Sequence, residues 1–277
     1  MSEDKLARIP SLIRHILAAL RYPRIASNFA LAVVRKDYDA RERIYETYTI
    51  MRALGPLFPK QNRKLRQFAD EILNSQFHRS ITGSVSSDRC ALSSYLGVPI
   101  WGAGLIYVIC RFLRPRRVVE TGVGPGVSTA YILKALEDND FGRLWSVDMP
   151  YRQQELRKFA RDTRRGFPEF PAPESIRSGW LVPQSLKSRW TLRVGKTRHV
   201  LPEILEDLQK IDIFLHDSEH TYENMLFEYR CVWPYLPRGG MLLSHDIECN
   251  NAFQDFAREV DHKPFSLFWF GAILKSR

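Results

Sequence analysis

The sequence predicts an α/β fold in which a parallel sheet is flanked by helices. In the second half of the chain, short β-branched or apolar segments alternate with longer segments of helical periodicity. The first short segment runs into a glycine-rich turn, and several of the others end at a carboxylate. Open sheets of this kind bind ligands at the carboxyl ends of their strands. We therefore expect the glycine turn and the carboxylates to lie along one edge of the sheet.

The rest of the domain is arranged around the segment RVVETGVGPGVS, residues 117–128. Its first two valines predict a buried strand, Gly122, Gly124 and Gly126 predict a turn, and the residues from Val127 onward predict a helix. Glycine permits the positive φ angles of such a turn and lets a ligand approach the backbone, and the helix N-terminus offers free N–H groups. The spacing departs from G-x-G-x-x-G, which disfavours NAD, and the P-loop pattern is absent.

The composition is that of a globular protein with a sizeable core, since 44% of the 277 residues are hydrophobic. The four cysteines lie far apart without a C-x-x-C pair, so neither a zinc site nor a disulfide framework is indicated. A reducing, cytoplasmic location is expected. We predict neither a signal peptide nor a transmembrane helix.

The positive charge is concentrated in the first part of the chain. Residues 1–117 contain 20 Lys and Arg against 9 Asp and Glu, whereas residues 118–277 contain 21 against 22. A solvated helical surface is the favoured explanation. Basic residues among apolar ones in segment 9–36 leave open a contact with a membrane surface or an acidic substrate, and nucleic acid has less support because no binding motif for it is visible.

We divide the chain into a basic helical extension or cap, residues 1–94, and a sheet domain, residues 95–277. The segments RERIYETYTIMRAL and NRKLRQFADEIL have apolar residues three or four apart and predict helices in the extension. The segment ITGSVSSDRC, which begins at Ile81, is predicted to be a polar loop. A further helix is predicted to end at Pro115.

Carboxylates end three of the predicted strands. Asp148 ends the second strand, where it would accept hydrogen bonds from both hydroxyls of a ribose or would cap the next turn. A proline-rich insertion follows and runs to Pro183. The fourth strand ends at Asp217 and the fifth at His245 and Asp246. This pair of acids predicts a divalent-ion site with oxygen ligands suited to Mg²⁺, and the alternative is that the acids cap a helix and end a strand.

Five segments in order resemble class I S-adenosylmethionine (SAM) methyltransferases: ETGVGPGVST, WSVD, RVGKTRHVLPEIL, FLHDSEHTYENM and RGGMLLSHD. Residues 95–277 are similar to the catechol- and macrocin-type small-molecule O-methyltransferases. The resemblance implies a Rossmann-like fold with a seven-stranded, mostly parallel sheet and SAM as the cofactor. The cofactor contacts that it implies are Glu120, Thr121, Gly122, Gly124, Gly126, Ser128, Asp148, Thr197 and Asp217.

The resemblance also implies a reactive centre. The metal ligands of metal-dependent relatives fall on Asp217, His245 and Asp246, although relatives have Asp-Asn or Glu-Asp at the last pair. A neutral histidine is a poorer Mg²⁺ ligand than a carboxylate and shifts the preference toward Mn²⁺, Fe²⁺ or Zn²⁺. His220 matches the D-x-x-H of the macrocin type, where the histidine takes the proton of the acceptor hydroxyl, together with Asp217 if no metal takes part. A solvent-facing histidine is the alternative for His220.

The predicted function is O-methylation of a small-molecule hydroxyl. N-methylation of nucleic acid or protein is an alternative, but the N/D-P-P-Y/F tetrapeptide of many amine-directed relatives is replaced by HDSE, residues 216–219. A catalytically silent SAM-fold binding module is another. Lys196 stands where relatives have an acid near the adenine, so that contact must come from backbone, from Thr197 or from elsewhere. Sugar, polyketide, phenol and lipid-like acceptors stay open.

Overall fold

The computed structural model describes residues 38–86, 100–149 and 178–276. The chain divides into two compact units, Met1–His78 and Arg79–Arg277. The described helices are α1 (Tyr38–Leu54), α2 (Asn62–Leu73), α3 (Gln76–Ser86), α4 (Ile100–Leu113), α5 (Val127–Asp138), α6 (Thr197–Leu208), α7 (Tyr222–Val232) and α8 (Ala252–Glu259). The strands are β1 (Arg117–Thr121), β2 (Arg143–Asp148), β3 (Trp190–Val194), β4 (Ile213–His216), β5 (Met241–Ser244), β6 (Phe265–Leu267) and β7 (Phe270–Leu274).

In the first unit, α1 packs on α2, and both helices were predicted from their apolar spacing. The buried positions of α2 include Leu65, Phe68 and Ile72, which recur every three or four residues and so line one face. The turn between the helices closes α1 with a hydrogen bond from Gly55 N to Met51 O (2.9 Å).

The prediction of a polar loop from Ile81 is wrong for residues 81–86, which continue α3. Ser and Thr favour loops when their hydroxyls compete with the backbone. Here the hydroxyls of Thr82 and Ser84 donate to carbonyl oxygens of the preceding turn, Arg79 O (3.1 Å) and Ser80 O (2.9 Å), and the helix is kept. The rest of that segment, the amphipathic segment 9–36 and most of the proline-rich insertion lie outside the described residues.

The second unit contains a seven-stranded sheet of order β3-β2-β1-β4-β5-β7-β6. Strands β1 to β5 are parallel, and β7 pairs antiparallel with both β5 and β6. This architecture confirms the predicted seven-stranded, mostly parallel sheet. The central strands β1, β4 and β5 are buried because helices pack on the sheet: Val119, Phe214 and Leu242 share one core with Met225 and Tyr229 of α7.

The chain reverses its direction across the sheet at β1, which has β2 on one side and β4 on the other. In open α/β sheets, the crevice at such a switch point is where ligands bind. The segments that follow β1, β2 and β4 therefore position the candidate site.

No helix in residues 38–86, 100–149 or 178–276 is both long enough and apolar enough to span a bilayer.

Candidate functional site

The glycine turn after β1 lies directly against the end of β4. Gly122, Gly124 and Gly126 have φ angles of +80°, +50° and +91°, in the left-handed region that other residues rarely adopt. Asp217 N donates to Thr121 O (2.8 Å), and a Cβ on Gly122 would lie 1.9 Å from Asp217 O. The two strand ends therefore meet with no room for a side chain, and the glycine turn and Asp217 belong to one site.

Asp148 lies beside the glycine turn. Its Oδ1 accepts a hydrogen bond from Val123 N (3.1 Å), and its Oδ2 accepts one from Ser178 Oγ. Asp148 is only 9% exposed, but each carboxylate oxygen has a second lone pair for a ligand hydroxyl. Its position suits the predicted contact with a ribose.

Two exposed apolar side chains lie at the same edge of the sheet. Met149 directly follows β2 and is 54% exposed. Val194 ends β3, pairs with Asp148 in the ladder and is 65% exposed. Apolar surface beside a carboxylate suits a flat ring attached to a sugar. The sequence analysis missed both residues, because an apolar residue at the end of a strand is usually part of the core.

Thr197 begins α6, and Lys196 is the residue before it. The Thr197 hydroxyl donates to Asn224 Oδ1 of α7 (3.3 Å). In this arrangement the hydroxyl connects two helices, and its contact with an adenine stays a prediction.

Glu120 is fully buried beneath the glycine turn. Its carboxylate accepts hydrogen bonds from Ser128 Oγ (2.6 Å), Thr129 Oγ1 (2.7 Å) and Ser146 Oγ (2.8 Å). Burial raises the pKa of Glu120 to about 7 against the opposing effect of these three donors. Glu120 and Ser128 therefore hold the glycine turn through hydrogen bonds to each other and to their neighbours. Direct contact of either residue with a cofactor stays a prediction, and this geometry does not favour it.

A second buried carboxylate, Glu228 of α7, joins the ends of β1 and β4. It accepts hydrogen bonds from Thr121 Oγ1 (2.5 Å), Ser218 Oγ (2.7 Å) and Asn224 Nδ2 (3.0 Å), and it lies 2.7 Å from His216 Nδ1. Burial opposes its charge, but the charge of His216 and these hydrogen bonds outweigh that effect and lower the pKa of Glu228.

The sequence analysis did not single out Glu228 or His216. In the sequence, Glu228 is an acid in the middle of a predicted helix and His216 is a histidine at the end of a predicted apolar strand, and neither pattern alone indicates a buried pair. Only the fold brings them together, since twelve residues separate them along the chain. The same carboxylate engages the hydroxyl of Thr121, whose direct contact with a cofactor stays a prediction.

The reactive cluster contains Asp217, His220, His245 and Asp246. Asp217 Oδ1 lies 2.9 Å from His245 Nδ1 and 3.7 Å from His220 Nε2. Asp246, which has a φ of +51°, lies at the more exposed side, with Oδ1 3.5 Å from His245 Nε2 and Oδ2 3.8 Å from His220 Nε2. The structure thus brings together the four residues that were predicted for catalysis and metal binding.

The pKa values of the two histidines of this cluster are shifted in opposite directions. Burial, with the charge of His216 next, lowers the pKa of His220 despite Asp217 and Asp246. Burial also opposes the charge of His245, but the charge and hydrogen bond of Asp217, with Asp246, outweigh it and raise the pKa of His245. His220 Nε2 is buried and has no hydrogen-bond partner among the described residues.

The donor set of the cluster differs from that of an oxygen-only site. Ligand atoms of Asp217, His220 and His245 lie within 4.8 Å of one another. One carboxylate with two imidazoles fits Mn²⁺, Fe²⁺ or Zn²⁺ better than Mg²⁺, which prefers oxygen ligands in octahedral geometry. The predicted set had Asp246 where this grouping has His220, and the participation of Asp246 stays a prediction.

Residues 119–247 match a family model described as a methyltransferase domain. No curated protein matched the chain. The SAH-bound methyltransferase PaMTH1 of Podospora anserina is 11% identical, with a TM-score of 0.51 over 79% of this chain and 97% of its own. An O-methyltransferase from Bacillus cereus in complex with SAH is 12% identical, with a TM-score of 0.49 over 76% of this chain and 96% of its own. The O-methyltransferase TomG from Streptomyces achromogenes, in complex with SAM, is 12% identical, with a TM-score of 0.49 over 79% of this chain and 100% of its own.

Proposed function

We propose that the chain contains a class I SAM-dependent methyltransferase domain, within which residues 119–247 match the model of a methyltransferase domain, and that this domain methylates a hydroxyl oxygen of a small molecule. One observation carries the proposal. The glycine turn, which suits the cofactor, meets the reactive cluster at Asp217, whose backbone contacts Gly122 and whose side chain lies next to His220. A methyl donor and an acceptor oxygen can therefore be held next to each other.

On the cofactor side, the proposed contacts are the glycine turn, Asp148 and the exposed apolar pair. Asp148 would accept hydrogen bonds from the ribose hydroxyls, and the exposed side chains of Met149 and Val194 would pack against the adenine ring. Lys196 has no acceptor for the adenine amino group, so that hydrogen bond would come from backbone, from Thr197 or from elsewhere. The bare backbone of the glycine turn admits the methionine part of SAM. Bound SAM would supply the methyl group on its sulfonium: the acceptor oxygen would attack the methyl carbon in line with the C–S bond, and S-adenosylhomocysteine would leave as that bond breaks.

At the reacting end, we assign His220 as the general base. Its Nε2 has no hydrogen-bond partner among the described residues, so it is available for the proton of the acceptor hydroxyl. Asp217 lies beside it, with Oδ1 3.7 Å from that nitrogen, and stabilises the imidazolium that forms. Methyl transfer needs little covalent help, so positioning and this proton transfer are the main tasks of the protein.

A hydroxyl is favoured over an amine by the residues at the end of β4. The segment HDSE, residues 216–219, contains the carboxylate Asp217, which lies three residues before the histidine base His220. Many amine-directed methyltransferases have N/D-P-P-Y/F at the corresponding place. A neutral amine needs no base before attack, but a hydroxyl gains from one. The unpartnered His220 Nε2 therefore favours oxygen as the acceptor atom.

A divalent transition-metal ion is a second component that the cluster can accommodate. Asp217, His220 and His245 would hold it, with Asp246 adjacent. Such an ion would polarise the acceptor oxygen. His220 cannot be a ligand and a base through the same nitrogen, so the two roles exclude each other and a chelation experiment separates them.

The cofactor assignment is tested by calorimetry with SAM and NAD(H). Gly124→Val should abolish SAM binding, because valine is strained at a φ of +50° and its side chain blocks backbone approach. Gly239→Val is the matched control, since Gly239 has a φ of +84° but an added Cβ would meet nothing within 4 Å. Tighter binding of NAD(H) than of SAM by the unmodified protein would contradict the assignment.

The acceptor class is tested with labelled SAM and panels of hydroxyl and amine compounds. Label in an O-methyl product supports the proposal, and label only in protein, nucleic acid or amines supports the N-methyltransferase alternative. SAM binding without transfer to any panel would favour the silent binding module. Peripheral membrane contact by the basic N-terminal segment stays a prediction, because that segment lies outside the described residues.

A further inference from the structure

The segment Ser178–Val182, which we call the clamp segment, lies along the glycine turn. Gly179 N donates to Gly124 O (2.8 Å), and Leu181 N donates to Pro125 O (3.0 Å). Both acceptors belong to the turn that ends with a hydrogen bond from Gly126 N to Val123 O (2.8 Å). Two successive carbonyl groups of the turn are therefore fixed by the clamp segment.

The approach between the two segments is too close for side chains. A Cβ on Gly126 would lie 2.7 Å from Gly179 Cα, and a Cβ on Gly179, which has a φ of +71°, would lie 2.4 Å from the Trp190 ring. Trp190 Nε1 in turn donates to Ser146 Oγ (2.9 Å), which donates to Glu120. Two glycines thus let the clamp segment pass between the turn and a ring that is itself held in place.

The first residue of the clamp segment reaches the carboxylate assigned to the ribose. Ser178 Oγ donates to Asp148 Oδ2, while Val123 N donates to Asp148 Oδ1. These two donors, on opposite oxygens, fix the plane of the carboxylate and leave a lone pair on each oxygen. If the clamp segment only packed on the glycine turn, the backbone hydrogen bonds of Gly179 and Leu181 would be enough, and the contact of the Ser178 hydroxyl with Asp148 would not be needed.

We propose that Ser178 is a positioning residue for cofactor binding, which holds Asp148 in the orientation that accepts both ribose hydroxyls, and that the clamp segment couples this carboxylate to the glycine turn. The inference rests on the proposed function, since it needs a ribose at Asp148. It adds a residue from the end of the insertion to the cofactor site. The sequence patterns do not single out this residue, because Ser178 lies in a proline-rich stretch without regular periodicity.

The test is a double-mutant cycle measured as SAH affinity by calorimetry. Ser178→Ala should weaken SAH binding about tenfold, the scale of one hydrogen bond to a charged group. In an Asp148→Asn background the same change should have almost no effect, because the carboxylate that it positions is gone. Ser178→Thr, which keeps the hydroxyl, should retain most of the affinity. Ser185→Ala, in the exposed turn that follows, is the matched control.

The outcomes separate the inference from the proposed function. Equal SAH affinity of Ser178→Ala and the unmodified protein, or an equal loss with and without Asp148, would overturn the positioning role while leaving the methyltransferase assignment intact. No SAH binding by the unmodified protein would overturn the proposed function and the inference with it. Ser178→Cys, close in size but a weak donor, replaces the alanine variant if thermal unfolding shows that the latter does not fold.

Discussion

His220, the proposed general base, lies between two carboxylates and a second histidine. Its Nε2 faces Asp217 and Asp246 at 3.7 and 3.8 Å, and its ring packs edge-on against His216 with centroids 5.2 Å apart. This surrounding fixes the orientation of the imidazole without a hydrogen bond to the reacting nitrogen. A residue placed in this way can exchange a proton with a ligand.

His220→Ala should lower the rate of methyl transfer by about 10²- to 10⁴-fold, the usual contribution of a general base, and leave SAH affinity unchanged. His199→Ala is the matched control, because His199 is exposed on α6. Initial rates and calorimetry give the two readouts. An alanine variant as active as the control would remove His220 from the mechanism.

Chelation separates the two roles of His220. Full activity in excess EDTA would assign the base role without a metal. Loss of activity that Mn²⁺, Fe²⁺ or Zn²⁺ restores would assign a metal site, and then His220→Ala should also lower the metal content of the purified protein, measured by plasma emission. Mg²⁺ is expected to be the poorest of the four ions.

At the scale of elements, the site depends on strand ends that side chains tie together. Glu228 joins the end of β1 through Thr121, the end of β4 through His216, and the start of α7 through Asn224. The glycine turn and Asp217 follow those two strand ends directly. The position of the reactive cluster relative to the glycine turn therefore depends on the buried carboxylate of Glu228.

Glu228→Gln should destabilise the protein by about 3 kcal/mol, because it leaves the buried His216 without its charged partner. Glu223→Gln, on the exposed first turn of the same helix, should cost less than about 1 kcal/mol. Unfolding in denaturant gives both values. Equal stability of the two variants would show that the buried pair does not hold the strand ends.

At the scale of the whole molecule, Glu120 makes stability depend on pH. Burial raises its pKa from 4.5 in the unfolded chain to about 7 in the folded protein, so between these values the folded state holds a proton that the unfolded state releases. The stabilising contribution is complete below pH 4.5 and is lost as the pH rises to about 7. The loss amounts to at most roughly 3 kcal/mol.

Glu120→Gln should remove this decline. Denaturant unfolding at about pH 5 and about pH 8 should show a smaller fall in the free energy of unfolding for Glu120→Gln than for the unmodified protein. Glu206→Gln, exposed on α6, should leave the fall unchanged. The same fall in all three proteins would mean that Glu120 is not protonated in the folded state at neutral pH.

The sequence alone determined the order of strands and helices in the sheet domain, the glycine turn and the carboxylates at the strand ends. These follow from local causes: apolar periodicity selects helix or strand, glycine permits positive φ, and parallel strands bring their carboxyl ends to one edge. For that reason the carboxylates Asp148, Asp217 and Asp246 could be named before the fold was known, whereas the roles of His220 and His245 came from the resemblance to known methyltransferases. Within the residues that the structure describes, the local rule misled at residues 81–86, where the hydroxyls of Thr82 and Ser84 are satisfied inside α3.

Only the tertiary structure decided which partners these residues have. Glu228 and Glu120 became buried supports because distant hydroxyls and His216 converge on them, and Ser178 reached Asp148 although thirty residues separate them. No periodicity records such contacts, since they depend on how elements pack rather than on neighbouring residues. The same holds for the donor set of the cluster, where the distance between side chains grouped His220 with Asp217 and His245.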